Sequence, residues 1–244
     1  MKSKIAGGRL RGKTALITGA SRGIGLAIAR ALADEECNLV LTGRSQSTLS
    51  NAARELGRRE ISVLPVVCDV RDQLEVEQLL KGVKNRFRRL DILINNAGIA
   101  HPNLSVAKLS VKSWMEVIET NLTGMFLVTR AALPVMKRGS AIVNNLSIAA
   151  KRTFPGLSAY NASKHGAMGF TNTLREELRA QGIRVIALLP GATDTAIWKA
   201  FWPEAPRKKM MSPKTVAEAV VNALLVANES TVEQLTIMPS AGTL

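Results

Sequence analysis

From Thr14 onward, short apolar runs closed by glycine, proline or asparagine alternate with longer stretches of helical spacing, and this alternation restricts the chain to one kind of architecture. Thr14-Ala-Leu-Ile-Thr18 is compact, apolar and followed at once by Gly19, as a strand buried on both faces requires. Leu26-Ala-Ile-Ala-Arg-Ala-Leu-Ala33 then supplies an alanine-rich helix. The pair recurs. Further strands are predicted at 38–42, 62–68, 91–95, 141–145, 184–189 and 235–238, and further helices at 48–57, 73–87, 111–136, from near Tyr160, and at 215–227. Pro65 removes one ladder donor from the third strand and predicts a sheet position that tolerates the loss. The result is an α/β chain: one doubly wound parallel sheet of about seven strands with helices on both faces. No linker, repeat or low-complexity stretch divides residues 1–244, which are expected to form a single domain with a short basic lead at 1–11.

An open parallel sheet binds its ligand beyond the carboxyl ends of its strands, and the unusual residues gather there. The first strand runs into Thr18-Gly-Ala-Ser-Arg-Gly-Ile-Gly25. Gly19 permits a tight turn, Gly23 and Gly25 let backbone and helix approach a diphosphate, and the helix that follows offers free N–H groups at its positive end. Dinucleotide binding is therefore expected along Gly19, Ser21, Arg22, Gly23, Ile24 and Gly25. Where an acidic residue would hold the ribose of NAD, the chain reads Thr42-Gly43-Arg44. Arg44 and Arg22 suit a 2′-phosphate, so NADP(H) is the expected cofactor, although both would also serve as surface arginines. Asp69, followed by Val70, is placed either to accept from an adenine amino group or to cap the next helix. Asn95-Asn96-Ala97-Gly98 closes the fourth strand with amides that can bond to neighbouring strands and small residues that admit a flat ligand.

A second constellation lies between Ser147 and Lys164. If the segment is helical, Tyr160 and Lys164 share one face. A free phenol has a pKa of about 10, and a nearby ammonium would lower it toward a useful range. The same spacing is also found in plain surface pairs, but Tyr160 is the only tyrosine in the chain. Taken in order, Thr18 to Gly25, Asn95 to Gly98, Asn121, Ser147, Tyr160-x-x-x-Lys164 and Pro190-Gly191 resemble the short-chain dehydrogenase/reductase family, from about Gly12 to the C-terminus.

That resemblance implies a Rossmann-type fold in which Tyr160 is the general acid/base, Lys164 lowers its pKa and holds the nicotinamide ribose, and Ser147 orients the substrate carbonyl. Asn121 would sit at a helix kink and complete a proton path. Pro190, Gly191, the backbone of Thr193 and the hydroxyl of Thr195 would meet the nicotinamide carboxamide. Substrate choice would lie in residues 99–109 and 192–212. The second segment carries Ile197, Trp198, Phe201, Trp202, Met210 and Met211, expected as an apolar lid or, alternatively, as a subunit contact in the tetramers or dimers common in the family. His101 is a candidate pocket residue, and His165 a helix-surface or subunit-contact one.

The expected reaction is NADPH-dependent reduction of a carbonyl, with a 3-oxoacyl thioester on acyl carrier protein as the leading substrate and small ketones, sugars, pteridines or steroid alcohols as alternatives. A net charge of +14 would help an acidic carrier dock, with Lys137 and Arg138 as candidate contacts. The same charge raises nucleic acid as a partner, but the basic residues are scattered in small clusters with no aromatic side chains between them, so no specific nucleic-acid binding is expected. A non-catalytic sensor is disfavoured by the intact Asn121, Ser147, Tyr160 and Lys164. No His, Cys or carboxylate spacing suggests a metal. No apolar run approaches the roughly 20 residues of a membrane span, and the start lacks a secretory pattern, so a cytoplasmic location without membrane partners is expected. Cys37 and Cys68, in apolar settings, are expected as reduced core thiols.

Overall fold

The structure is a computed structural model that describes residues 8–227 and 229–242, so residues 1–7 of the predicted lead lie outside the described residues. Its elements are β1 (Thr14–Thr18), α1 (Gly23–Asp34), β2 (Asn38–Gly43), α2 (Gln46–Leu56), β3 (Val63–Val67), α3 (Gln73–Phe87), β4 (Ile92–Asn95), α4 (Val111–Ile118), α5 (Gly124–Ala132), β5 (Ala141–Asn145), α6 (Ser158–Arg179), β6 (Arg184–Pro190), α7 (Pro213–Leu224) and β7 (Gln234–Ile237). The strands form one parallel sheet in the order β3-β2-β1-β4-β5-β6-β7, a Rossmann-type arrangement whose order reverses between β1 and β4. Pro65 lies on β3, an edge strand with a neighbour on one side only.

Alternation along the strands sends residues to two cores. Ala15 and Ile17 of β1 pack with Ile28 and Leu32 of α1, Leu49 of α2 and Val216 of α7, while Leu16 joins Leu79 of α3, Val128 of α5 and Leu174 of α6 on the opposite face. Both cores are aliphatic: no Phe, Trp or Tyr is among the fully buried side chains of the described residues.

Helix starts follow their caps. Ser45, Asp72, Ser110 and Ser212 accept from the backbone N–H three residues on, which begins α2, α3, α4 and α7, the last with Pro213 in its first turn. Two helices, α1 and α6, begin without a side-chain cap near the carboxyl edge of the sheet. Their leading N–H groups are left for something else.

The predicted single helix over 111–136 is broken. A π-turn over Glu119–Thr123 separates α4 from α5, and Leu133–Val135 closes the stretch as a 3₁₀ turn. Thr120, Asn121 and Thr123 are poor helix formers whose side chains compete for hydrogen bonds. Gly124 restarts the helix where an added Cβ would lie 2.7 Å from Val70, so α5 is pressed against the loop after β3. Among the described residues no helix is long and apolar enough to cross a membrane.

Candidate active site

A cavity of about 1160 Å³ opens across the carboxyl ends of the strands, centred on the β1/β4 reversal. Every residue expected to bind the cofactor or take part in catalysis lines it except Gly25 and Asn121. Those two stand directly behind the wall.

At the β1 end, Gly19 and Gly23 adopt left-handed backbone with φ of 64° and 57°, which a side chain would strain. A Cβ on Gly25 would collide with the Asn96 amide and the Gly19 carbonyl, so this glycine lets α1 close onto the end of β1. Asn96 is the clasp. Its backbone N–H and that of Ala97 both donate to the Thr18 hydroxyl at 2.9 Å, and its side-chain amide donates to the carbonyls of Thr18 at 2.9 Å and Gly19 at 3.1 Å. Its Oδ1 accepts from Asn145 at 2.8 Å, tying β1, β4 and β5 together. Open N–H groups at the start of α1 then face the cavity beside a positive helix end.

Arg22 and Arg44 stand exposed on the rim, and neither guanidinium has a hydrogen bond or ion pair among the described residues. Asp69 is different. Arg71, which the sequence did not single out, grips its carboxylate at 2.6–3.1 Å and holds it below the usual carboxylate range. Asp69 is not the helix cap; that role belongs to Asp72, while Glu75 reaches back to the Asp69 N–H at 2.7 Å.

At the other end, Ser147 follows β5 and accepts from the Ala149 N–H at 3.1 Å, and its side chain hydrogen-bonds the Tyr160 phenol. Tyr160 occupies the first turn of α6, and Lys164 the next turn. The Lys164 ammonium donates to the Asn145 carbonyl at 3.1 Å and lies 5.6 Å from the centre of the Tyr160 ring. Burial pushes the Tyr160 phenol above its ordinary value, opposed only by Ser147, and pulls Lys164 down from 10.5 to about 8. The expectation that the ammonium lowers the phenol is thus not met. Desolvation outweighs everything else at the phenol, and the lowering influence comes from the Ser147 hydrogen bond.

Asn121 sits within the π-turn and is 1% exposed. Its Oδ1 accepts from the Ile99 N–H at 2.8 Å, and its Nδ2 donates to the Ile99 carbonyl at 2.9 Å and the Ser163 hydroxyl at 3.1 Å. Ser163 passes the link to the Tyr160 carbonyl at 2.7 Å. The loop after β4 is thereby braced against the first turns of α6. Ser163 was missed, although a hydroxyl one residue before Lys164 was a visible signal.

The 192–212 segment is closed at its base by a parallel bridge between Thr193 and Met211, with Asp194 N–H on the Met211 carbonyl at 2.9 Å and Met211 N–H on that of Ala192 at 3.0 Å. Arg207 spans the loop, donating to Asp194 at 2.9 Å and to the Thr195 carbonyl at 2.6 Å. Ile197, Trp198, Phe201 and Trp202 line the cavity. Met210 does not, and Met211 packs into the core instead. His101 is buried away from the cavity with Nδ1 on the Pro102 carbonyl, whereas His165 is exposed on α6. Cys37 and Cys68 are buried free thiols.

Comparison with known proteins agrees with this geometry. The family model described as short chain dehydrogenase matches residues 13–206. An uncharacterised oxidoreductase of Staphylococcus aureus is 35% identical, over 94% of this chain and 98% of its own length. Among solved structures, an alcohol dehydrogenase from the archaeon Thermococcus sibiricus complexed with 5-hydroxy-NADP superposes with a TM-score of 0.89 at 33% identity, over 95% of this chain and 98% of that one. A short chain dehydrogenase from Burkholderia cenocepacia in complex with NADP gives 0.88 at 29% identity, over 96% and 99%. This chain belongs to the short chain dehydrogenase family of oxidoreductases.

Proposed function

We propose that the protein interconverts a carbonyl and an alcohol with NADP(H), acting as a carbonyl reductase in which Tyr160 is the general acid. The carrying observation is the Ser147–Tyr160 pair beside Lys164 at one end of a cavity whose other end holds two guanidinium groups that make no hydrogen bond or ion pair among the described residues. The residues fit a phosphorylated nicotinamide dinucleotide. Gly19, Ser21, Gly23, Ile24 and the open N–H groups of α1 would take the diphosphate, Arg22 and Arg44 the 2′-phosphate, and Asp69 and Val70 the adenine. Asn96, Ala97, Gly98, Lys164, Pro190, Gly191, Thr193 and Thr195 would border the nicotinamide half.

When bound, the cofactor supplies the hydride that the carbonyl carbon accepts. Ser147 and Tyr160 hydrogen-bond the oxygen as its charge grows, and the Tyr160 proton completes the alcohol. Lys164, with its pKa near 8, exchanges a proton close to neutral pH and can reprotonate the phenolate side of the site. Asn121 keeps Ile99 and Tyr160 in register. Tyr160→Phe should lower kcat for reduction by a factor on the order of 10²–10⁴; turnover near the wild-type rate would refute the assignment. Equal melting shifts with NADP and NAD would likewise defeat the role given to Arg22 and Arg44.

A 3-oxoacyl thioester on a carrier protein falls within this reading. The docking role expected for Lys137 and Arg138 gains no support from their position, since they precede β5 at the sheet edge opposite the cavity, where Arg138 is bonded to the Ala180 carbonyl. Self-association through α4 and α5 is supported by the exposed Trp114, Met115 and Phe126.

A further inference from the structure

Resting on the carbonyl-reducing reading above, we infer that the substrate is a flat, uncharged ketone bearing an aromatic or fused ring, held against an indole platform formed by Trp198. Aromatic residues are scarce in this chain: five Phe, three Trp and one Tyr. Large rings ordinarily go to the core, where they bury the most apolar area. Here none is fully buried, and the core is aliphatic. Five of the nine, Phe154, Tyr160, Trp198, Phe201 and Trp202, line this one cavity instead. A distribution so far from the usual one points to the ligand as the reason for the rings.

The platform is fixed before any ligand arrives. The Trp198 indole N–H donates to the Thr193 carbonyl at 2.8 Å, and Thr193 is itself pinned by its bridge to Met211. Phe201 packs on Trp198 with ring centres 5.0 Å apart and planes tilted by 37°, and Trp202 follows at 6.1 Å and 60°. Swinging Trp198 out would break a hydrogen bond at the base of the lid, so little ordering remains to be done on binding. Trp202 stays 41% exposed, a large apolar surface at the rim of the cavity.

Charge divides the cavity into two ends. Its charged lining residues are Arg22, Arg44, Asp69 and Lys164. The first three leave the ends of β1, β2 and β3, on one side of the strand-order reversal, and Lys164 is buried on α6. Neither the lid nor the stretch from Phe154 to Leu157 brings a charged side chain to the cavity. An ammonium on the substrate would be desolvated there without a counter-ion, a carboxylate or phosphate would meet only the Lys164 ammonium already bonded to the Asn145 carbonyl, and a sugar would set its hydroxyls against mostly apolar walls. Flat rings, which gain from offset or edge-on contact with indole and phenyl faces, match both features.

Tryptophan emission reads the platform directly, because two of the three tryptophans, Trp198 and Trp202, line the cavity. β-Tetralone added to the NADP-bound protein should quench this emission at about tenfold lower concentration than cyclohexanone does, and Trp198→Leu should remove that advantage. With NADPH, kcat/KM for β-tetralone should exceed that for cyclohexanone by about tenfold, with pyruvate and an acetoacetyl thioester lower still. That ratio should fall in Trp198→Leu and also in Trp202→Leu, whose 41% exposure means its loss cannot empty the core. Preferential quenching by β-tetralone without turnover of any carbonyl would overturn the reductase reading and leave the aromatic ligand site standing. Turnover of cyclohexanone or the thioester at or above that of β-tetralone, with no preferential quenching, would overturn the present inference and leave the reductase reading intact. Absence of both binding and turnover would overturn the two together.

Discussion

Replacing Lys164 with methionine should make the ligand-free protein more stable while removing its activity. The ammonium is 4% exposed, donates to the Asn145 carbonyl, and has no salt-bridge partner among the described residues. Burial lowers its pKa from 10.5 to about 8, so holding the charge inside the fold costs roughly 3 kcal/mol at neutral pH. Methionine keeps an unbranched apolar chain of similar length but leaves the Asn145 carbonyl without that donor, a loss of roughly 1 kcal/mol. The net gain is about 2 kcal/mol, or roughly 4–8 °C in melting temperature for a chain of this size.

The pH dependence has a definite sign. An unfolded lysine keeps its proton up to 10.5, whereas the folded one releases it near 8. Between those values the unfolded chain binds more protons, so this residue makes wild-type stability rise with pH, and the full penalty applies below the folded pKa. Cys37 and Cys68, pushed up to about 12 by burial, act in the opposite direction at alkaline pH, but they are common to both proteins and cancel in the difference. Urea unfolding of wild type and variant in parallel should therefore show a gap that is constant below about pH 8 and closes as the pH climbs toward 10. A variant less stable than wild type at pH 7, or a gap independent of pH, would refute the account of a desolvated ammonium.

Two further substitutions test the walls of the site. Gly25→Ala places a Cβ against the Asn96 amide and the Gly19 carbonyl, and should cost about 1–3 kcal/mol of stability and abolish the melting shift given by NADP; a variant that keeps the full shift would show the cradle to be more yielding than described. Arg207→Ala unties the lid from Asp194 and Thr195, and should raise KM for the carbonyl substrate severalfold with a smaller fall in kcat; Arg207→Lys should recover part of the loss, and an equal fall of kcat with KM unmoved would speak against a positioning role.

The sheet and most of the cavity wall were legible in the sequence because strand ends are marked by residues that do little else well. Gly19, Gly98 and Gly191, with the amides at Asn95 and Asn96, interrupt apolar runs at the edge where ligands bind. The helices predicted at 48–57 and 215–227 were drawn too short at their starts, which the structure places at Gln46 and Pro213 behind the caps Ser45 and Ser212. What escaped was whatever depends on distant neighbours. Spacing put Tyr160 and Lys164 on one face but could not report how little water either would keep, and so the direction of the phenol shift was missed. Met211 matched an apolar lid, yet its backbone pairing with Thr193 turns its side chain into the core. Arg71 gave no signal at all, because its grip on Asp69 depends on a turn that only the folded loop defines.

Positioning of α6 explains why so many amides and hydroxyls are buried in an otherwise aliphatic interior. Asn95 donates to Thr129 of α5 at 2.8 Å and to Asn144 of β5 at 2.9 Å, and Asn144 donates onward to Thr171 of α6 at 2.9 Å. Asn121 holds Ser163, and Lys164 is anchored on Asn145. The helix that carries Tyr160 is thus fixed at three points along its length by directional bonds. Apolar packing alone would not do this, because it is non-directional and tolerates small shifts that would spoil the approach of Tyr160 and Ser147 to one oxygen atom. A network of directional bonds penalises the same shifts steeply, even though the Asn95 and Asn145 side-chain oxygens within it accept no bond. The desolvated lysine fits the same logic: it lowers stability where the reaction needs a proton carrier, and the rigid polar frame around it keeps that weakness from relaxing away.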